Sequence, residues 1–373
     1  MRKEIQPQRL GWIYRKRVKS KINYNAFGSF VEHDTTELEF FKVTNDIREY
    51  SKEKVIEIAV RYFREYGFPH YTVTESEKHE HMSALRKFDH NSILIDGNAI
   101  EQTMHGLRMA WSYFPHFWDV KCGSAKMSPM EIFHDDEQFA ITMGKCYDWC
   151  HKHNDFKMTI NRIRQSLKIY NGAQAVSNFR PTAAKLIYET YGGDGVVRDM
   201  SCGWGGRLIG ALASPRVKRY IGTEPSTKTF DGLLQIREDF SYIDKEVELY
   251  KLGSEEFRPE RESLDLCFTS PPYFDTEKYS DEETQSYKKF PTLDGWIDGF
   301  MRKTIDNCRY GLKPNGRLII NIADTSTGKG IAEDTVKLAV EMGFERDDDW
   351  NLILSSIAGK SKKYEPIFIF KKR

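Results

Sequence analysis

Two short stretches of this chain carry residue types that can do chemistry. The first is Thr269-Ser270-Pro271-Pro272-Tyr273, behind the apolar run Leu264–Phe268. Neither proline has an N–H, and the residue before each is held extended, so the run ends in a stiff loop. The loop offers a small hydroxyl at Ser270, carbonyl oxygens with few internal partners, and an aromatic face at Tyr273. Those groups suit a flat, amine-bearing ligand: acceptors for an NH2 group and a ring to stack on. A strand terminator with a packed tyrosine would use the same residues. The second stretch is Asp199-Met200-Ser201-Cys202-Gly203-Trp204-Gly205-Gly206. Its glycines permit positive φ and close backbone approach to a ligand, and the helix expected behind it offers free N–H groups. Glu224 follows about twenty residues later, where a carboxylate can receive ribose hydroxyls. Capping a helix is the other use of an acid there.

Elements must hold these groups together. From Asn171-Gly172-Ala173 onward the pattern alternates between strand and helix. Helix is expected over Ala183–Tyr191, Arg207–Ala213, Leu293–Asn307 and Glu333–Met342. Strand is expected around Val196–Asp199, Tyr220–Glu224, Val247–Leu252, Leu264–Phe268 and Arg317–Ile322, with a turn at Lys313-Pro314-Asn315-Gly316. Two last strands, Trp350–Ser355 and Pro366–Phe370, would close a hairpin. Such alternation implies a parallel sheet with helices on both faces. Ligands then sit at the carboxyl ends of the strands. The glycine turn, Glu224, Ser254 with Glu255, and Ser270–Tyr273 all fall at such ends, so one crevice could collect them.

At this point the sequence resembles a known family. Asp199-x-Ser201-x-Gly203-x-Gly205 together with Ser270-Pro271-Pro272-Tyr273 is similar to the amino-group DNA methyltransferases. Phe179-x-Pro181 is similar to the family's segment that closes over the methionine end of the cofactor. Glu365-Pro366-Ile367-Phe368-Ile369-Phe370-Lys371 resembles its last strand. The resemblance covers about residues 175–373. It implies an α/β, Rossmann-like methyltransferase sheet with a closing antiparallel hairpin, and S-adenosyl-L-methionine as cofactor. It implies a DNA substrate, a restriction-modification setting and a cytoplasmic location. Phe179, Pro181, Asp199, Ser201, Gly203, Gly205, Glu224, Ser254 and Glu255 would bind the cofactor. Ser270, Pro271, Pro272 and Tyr273 would hold the target amine. Two departures stand out: Ser201 and the bulky Trp204 in the glycine segment, and Ser254 then Glu255 where one acid is usual.

The chemistry agrees. An exocyclic amine is a poor nucleophile because its lone pair is delocalised into the ring. Hydrogen bonds from its protons to Ser270 Oγ and the Pro271 carbonyl would direct that lone pair at the methyl, with alignment and preorganised acceptors as the main effects. The base must leave the duplex to reach them. Carbon-5 methylation of cytosine needs a nucleophilic cysteine, usually after a proline, and none of the six cysteines follows one. The serine leans the assignment to N4 of cytosine over N6 of adenine. RNA or a protein side-chain amide is the alternative acceptor, and a non-catalytic nucleic-acid-binding protein on the same fold is the alternative of another class.

Residues 1–165 match no part of that family, and residues 1–170 are expected to form a mainly helical domain for target recognition. Arg15, Lys16 and Arg17 lie in a basic segment that interleaves with Trp12, Tyr14 and Tyr24, a composition suited to phosphate and base contact. Ser51–Tyr66 reads as an amphipathic helix capped by Ser51, with Val55, Ile58, Ala59, Tyr62 and Phe63 on one stripe. Helices are also expected over Asn98–Phe114 and Phe133–Trp149. Cys146, Cys150, His151 and His153 lack the spacing of a standard zinc module, so helical core cysteines with exposed histidines are expected there. A net charge of +1 leaves any nucleic-acid role to local patches. Neither a signal peptide nor a membrane span is expected, and dispersed cysteines fit reduced thiols.

Overall fold

The computed structural model describes residues 35–276, 278–325, 328–354 and 363–373. Arg15, Lys16 and Arg17 lie outside them. The chain forms two compact units, Met1–Pro69 with Asp135–Ser166, and His70–His134 with Leu167–Arg373. It therefore passes between units three times, rather than once near residue 170. The reason is that residues 70–134 supply two strands to the sheet and a wall to its glycine loop.

The first unit is helical in its described part. Lys52–Tyr66 is capped by Ser51, whose hydroxyl accepts the Lys54 N–H, and it ends at Gly67 with φ of 84°. Its buried stripe is Val55, Ile58, Ala59, Tyr62 and Phe63, as its spacing predicts. Phe40 stacks on Tyr62 with ring centroids 3.9 Å apart, and Phe63 meets Phe139 edge-on. The helix expected over Phe133–Trp149 is two: Pro129–His134 and Asp136–Lys152, the second capped by Asp135 on the Gln138 N–H. Cys146 and Cys150 are buried on its inner face. His151 is only partly exposed and packs on Tyr147 and Phe156.

The second unit is built on a nine-stranded sheet in the order β1-β2-β8-β9-β7-β6-β3-β4-β5. The strands are β1 Leu94–Ile95, β2 Ala99–Glu101, β3 Val196–Asp199, β4 Arg219–Thr223, β5 Glu246–Tyr250, β6 Leu264–Thr269, β7 Leu312–Asn321, β8 Phe344–Leu354 and β9 Lys363–Lys372. From β5 to β7 every neighbouring pair is parallel. β9 runs antiparallel between β7 and β8, which is the closing hairpin. All six residues of β6 are buried, as a strand covered on both faces requires. Helices Pro181–Tyr191, Gly206–Ala213, Thr227–Asp239, Arg302–Gly311 and Ile331–Glu341 lie between strands.

Two differences from the sequence reading are local. Residues 98–114 are not one helix: Ala99–Glu101 pairs parallel with β8, and a short helix Leu107–Ser112 starts after Gly106 at φ of 74°. Partners far away in sequence overrode the local pattern. The turn Lys313–Gly316 lies inside β7, as an irregularity in its pairing with β6 where Asn315 has φ of 65°.

Candidate active site

The sheet explains why distant motifs meet. β4 lies on one side of β3 and β6 on the other, so the strand order reverses between β3 and β6. Loops leaving two such strands diverge and leave a crevice at their carboxyl ends. β9 is antiparallel to β7, so its first residues lie at that same edge, with Ile367 opposite Asn321. β8 and β2 end there too. A cavity of about 310 Å³ opens at this edge. It is lined by Phe179, Ser201, Gly203, Trp204, Glu224, Ser254, Glu255 and Ser270–Tyr273, together with Gln102, Arg180, Arg207, Asn321 and Glu365.

The glycine loop is fixed from beneath by charge. Asp199 is fully buried and accepts from Arg207 Nε at 2.9 Å, Tyr220 Oη at 2.7 Å and the Ser201 N–H at 3.1 Å. Arg207 also donates to the Ser201 carbonyl. Asp199 therefore organises the loop and does not line the cavity. Gly205, with φ of 70°, starts the helix Gly206–Ala213. A Cβ there would come within 2.6 Å of Ile236. At Gly206 a Cβ would sit 1.9 Å from the Phe179 carbonyl oxygen, so the Asn178–Phe179 segment crosses directly over the helix start. Pro181 is the first residue of its own helix. Asp199, Gly205 and Pro181 thus shape the site from behind, whereas Gly203 faces it with room beside its Cα.

Trp204 accounts for the bulk in this loop. It is 2% exposed and packs against Trp111, Phe114, His116 and Phe117, with Tyr279 on another side at 4.5 Å. Residues 107–117 thus form a wall that the loop leans on. Burial lowers the His116 pKa to about 4, aided by the Lys228 charge, and its Nε2 lies 3.1 Å from Thr229 Oγ1.

Glu224 follows β4 and is 4% exposed. Its carboxylate accepts the N–H of Gly203 and of Ser226, each at 3.0 Å. Burial pushes its pKa up to about 7, while those two amides pull the other way. Ser254 lines the cavity, with its hydroxyl engaged by Thr304 Oγ1 at 2.7 Å. Glu255 pairs with Lys289 through one oxygen, and its other oxygen is buried without a partner among the described residues. Trp204 Nε1 and Gln285 Nε2, also in cavity-lining residues, are likewise buried without partners among the described residues.

The opposite wall is the loop after β6. Phe274 is held at φ of 55°, a left-handed conformation that phenylalanine adopts only under constraint. Its N–H donates to the Pro272 carbonyl, and the Thr276 N–H donates to the Tyr273 carbonyl. The Pro271 carbonyl accepts no hydrogen bond from the described residues. Ser270 Oγ is 3.4 Å from Tyr273 Oη, and Tyr273 Oη donates to Glu365 and lies 3.1 Å from the Asn321 carbonyl. The tyrosine ring is anchored by its hydroxyl. Arg180, Arg207, Gln102 and Asn321 were not singled out from sequence. The arginine behind the glycine turn was a readable signal. Gln102 had none, because a three-residue strand leaves no pattern.

Residues 264–373 match the model of the DNA methylase family of N6 and N4 methyltransferases. No curated protein matches the chain. Among solved structures it is similar to an N-methyltransferase from Bradyrhizobium japonicum WM9, at 15% identity, covering 52% of this chain and 93% of that one, with a TM-score of 0.37. It is also similar to magnesium protoporphyrin IX methyltransferase from Synechocystis PCC 6803, at 14% identity over 52% and 78% of the two chains, with a TM-score of 0.37. An S-adenosylmethionine-dependent methyltransferase from Methanosarcina mazei shares 13% identity over 50% and 96%, with a TM-score of 0.36. The cofactor that the family implies is S-adenosylmethionine. The cavity fits it: a buried carboxylate at Glu224, an open backbone at Gly203 and three buried polar atoms lacking partners are what such a polar ligand needs. Over residues 264–373 this chain resembles the DNA methylases that modify an amino group, with S-adenosylmethionine as their methyl donor.

Proposed function

We propose that the protein transfers a methyl group from S-adenosylmethionine to the exocyclic amine of a DNA base, with N4 of cytosine ahead of N6 of adenine. One observation carries this reading: Ser270–Tyr273 and the Glu224–Gly203 pair line one cavity at the strand-order reversal. The bound cofactor supplies an electrophilic methyl on a sulfonium. Glu224 receives the ribose hydroxyls, with its carboxylate already oriented by two amides. Gly203 leaves room for the ligand, and Phe179 closes over the other end. Across the cavity Ser270 Oγ and the Pro271 carbonyl accept the two amine protons, which turns the nitrogen lone pair towards the methyl. Tyr273 offers its ring to the flipped base. Target recognition falls to the N-terminal region, including the basic segment of Arg15, Lys16 and Arg17.

Mass spectrometry of nucleosides tests this. DNA from cells expressing the protein should gain one methylated nucleoside, absent when Ser270→Ala is expressed. The Ser270→Ala protein should still bind S-adenosylmethionine. Methyl groups appearing only in RNA or protein would overturn the DNA assignment, and full activity of Ser270→Ala would overturn the site.

A further inference from the structure

The loop after β6 holds a serine, which cannot store a proton, yet the methylated amine must release one. The hydroxyl of Tyr273 has one proton, and three oxygens of the described residues lie around it. They are a Glu365 carboxylate oxygen, the Asn321 carbonyl at 3.1 Å and Ser270 Oγ at 3.4 Å. A carbonyl and a carboxylate can only accept, and the charged acceptor makes the stronger bond. The Tyr273 proton therefore points to Glu365. Ser270 then donates its own proton to Tyr273 Oη and keeps its lone pairs towards the cavity. An ionised Glu365 thus fixes the direction of the whole chain and makes Ser270 an acceptor for an amine N–H.

Resting on the amine-methylation reading above, we propose that Glu365 is the final acceptor of the proton released by the methylated amine, acting through Tyr273 and Ser270. The nitrogen lone pair forms the N–C bond as the S–C bond breaks, and the bonding pair stays on sulfur. One proton of the now cationic nitrogen passes to Ser270 Oγ, the serine proton to Tyr273 Oη, and the tyrosine proton to Glu365. The products are a neutral methylamine and a neutral Glu365, with both hydroxyls restored. No oxidant, metal or further reactant takes part.

The surroundings favour this role. Glu365 lines the cavity and lies in register with Leu352 of β8. β7 presents the Asn321 side chain, whose amide also holds the Pro366 carbonyl. The loop after β6 presents Tyr273. Glu365 forms no ion pair among the described residues. Of the other charged groups lining the cavity, Arg180 donates to Gln102, Arg207 to Asp199, and Glu255 pairs with Lys289. Glu224 accepts from backbone amides. Burial raises the Glu365 pKa above the ordinary carboxylate range, opposed by the Tyr273 and Asn321 hydrogen bonds. A carboxylate so placed takes a proton more readily than one in water.

Glu365→Gln separates proton acceptance from positioning, because the amide oxygen still accepts from Tyr273. The experiment measures single-turnover methyl transfer to DNA from cells lacking the protein, across pH and at saturating S-adenosylmethionine, so that the Glu224 titration does not enter the rate. Wild type should lose rate as pH falls through the Glu365 pKa. Glu365→Gln should be about a hundredfold slower, the size of a general-base contribution, without that acid limb and with unchanged S-adenosylmethionine affinity. Tyr273→Phe should be slowed as well, and the double variant no slower than Tyr273→Phe alone. In the infrared, the wild-type minus Glu365→Gln difference should contain a protonated carboxyl band that titrates above the ordinary carboxylate range, while the Glu224 band near pH 7 remains in both proteins. An active wild type with Glu365→Gln equal to it in rate and pH profile overturns the proton-acceptor role alone. A wild type that transfers nothing to DNA overturns the amine-methylation reading and this role with it.

Discussion

Glu224 gives the sharpest quantitative test of the cofactor half. Its pKa is pushed up to about 7 by burial, against the pull of the Ser226 and Gly203 amides. Ribose hydroxyls donate to a carboxylate, so binding S-adenosylmethionine favours the ionised form and lowers that pKa. The sign follows. Below pH 7 the carboxyl must lose a proton to bind, so affinity rises with pH and levels off above 7. A return to the ordinary carboxylate range moves the pKa by more than two units, which is about 3 kcal/mol, or roughly a hundredfold in affinity. Near pH 7 about half a proton should be released per cofactor bound. In the free protein the same raised pKa acts oppositely. The carboxyl adds stability fully below its unfolded pKa, and that contribution is lost as pH rises through 7. The thermal stabilisation by cofactor should therefore grow with pH over that window. Calorimetry in buffers of different ionisation enthalpy reads the proton directly. Glu224→Gln is the control that removes the cofactor's own amino group from the comparison. Its NH2 must face the N–H of Gly203 or Ser226, which costs about 1–3 kcal/mol, and its affinity should lose the Glu224 component of the pH slope. A wild-type affinity with the same slope as Glu224→Gln, and the same heat in every buffer, would refute the assignment.

Three further predictions concern the frame behind the cavity. Asp199→Asn leaves Arg207 buried without its charge partner and should lower stability by about 3–5 kcal/mol, measured by denaturant unfolding of wild type and variant alike. Gly206→Ala places a methyl 1.9 Å from the Phe179 carbonyl oxygen. It should cost about 1–3 kcal/mol in stability and weaken cofactor binding by more than that loss explains, because the closing segment is displaced. Trp204→Ala empties a pocket between residues 107–117 and Tyr279, and a loss of about 3–5 kcal/mol is expected in a thermal melt. An unchanged melt would mean that the wall does not support the glycine loop.

Much of the fold was legible because strands and helices alternate with strong local signals. Buried β6, the glycine turn after β3 and the proline stop after β6 are each written in a few consecutive residues. Ser51–Tyr66 was read to the residue, since capping and a 3.6-residue stripe are local. The capping box of Thr74 and Glu77, which starts the helix Glu75–Lys87, was equally readable but overlooked. Residues 98–114 misled because β2 is held by β8, some 250 residues away in sequence. Ser270, Pro271, Tyr273, Gly203 and Glu224 were visible as chemistry. Their distance from one another was not.

Sequence alone determined which groups could act: acceptors on a proline-stiffened loop, glycines with free backbone, and a carboxylate at the next strand end. Tertiary structure decided which of them line the cavity. It sent Asp199 beneath the loop to Arg207, turned Ser254 to Thr304 and placed Glu365 against Tyr273. The reason is physical. A residue's type and its neighbours fix its local conformation, whereas a buried polar group finds its partner only when the sheet order brings distant strand ends to one edge.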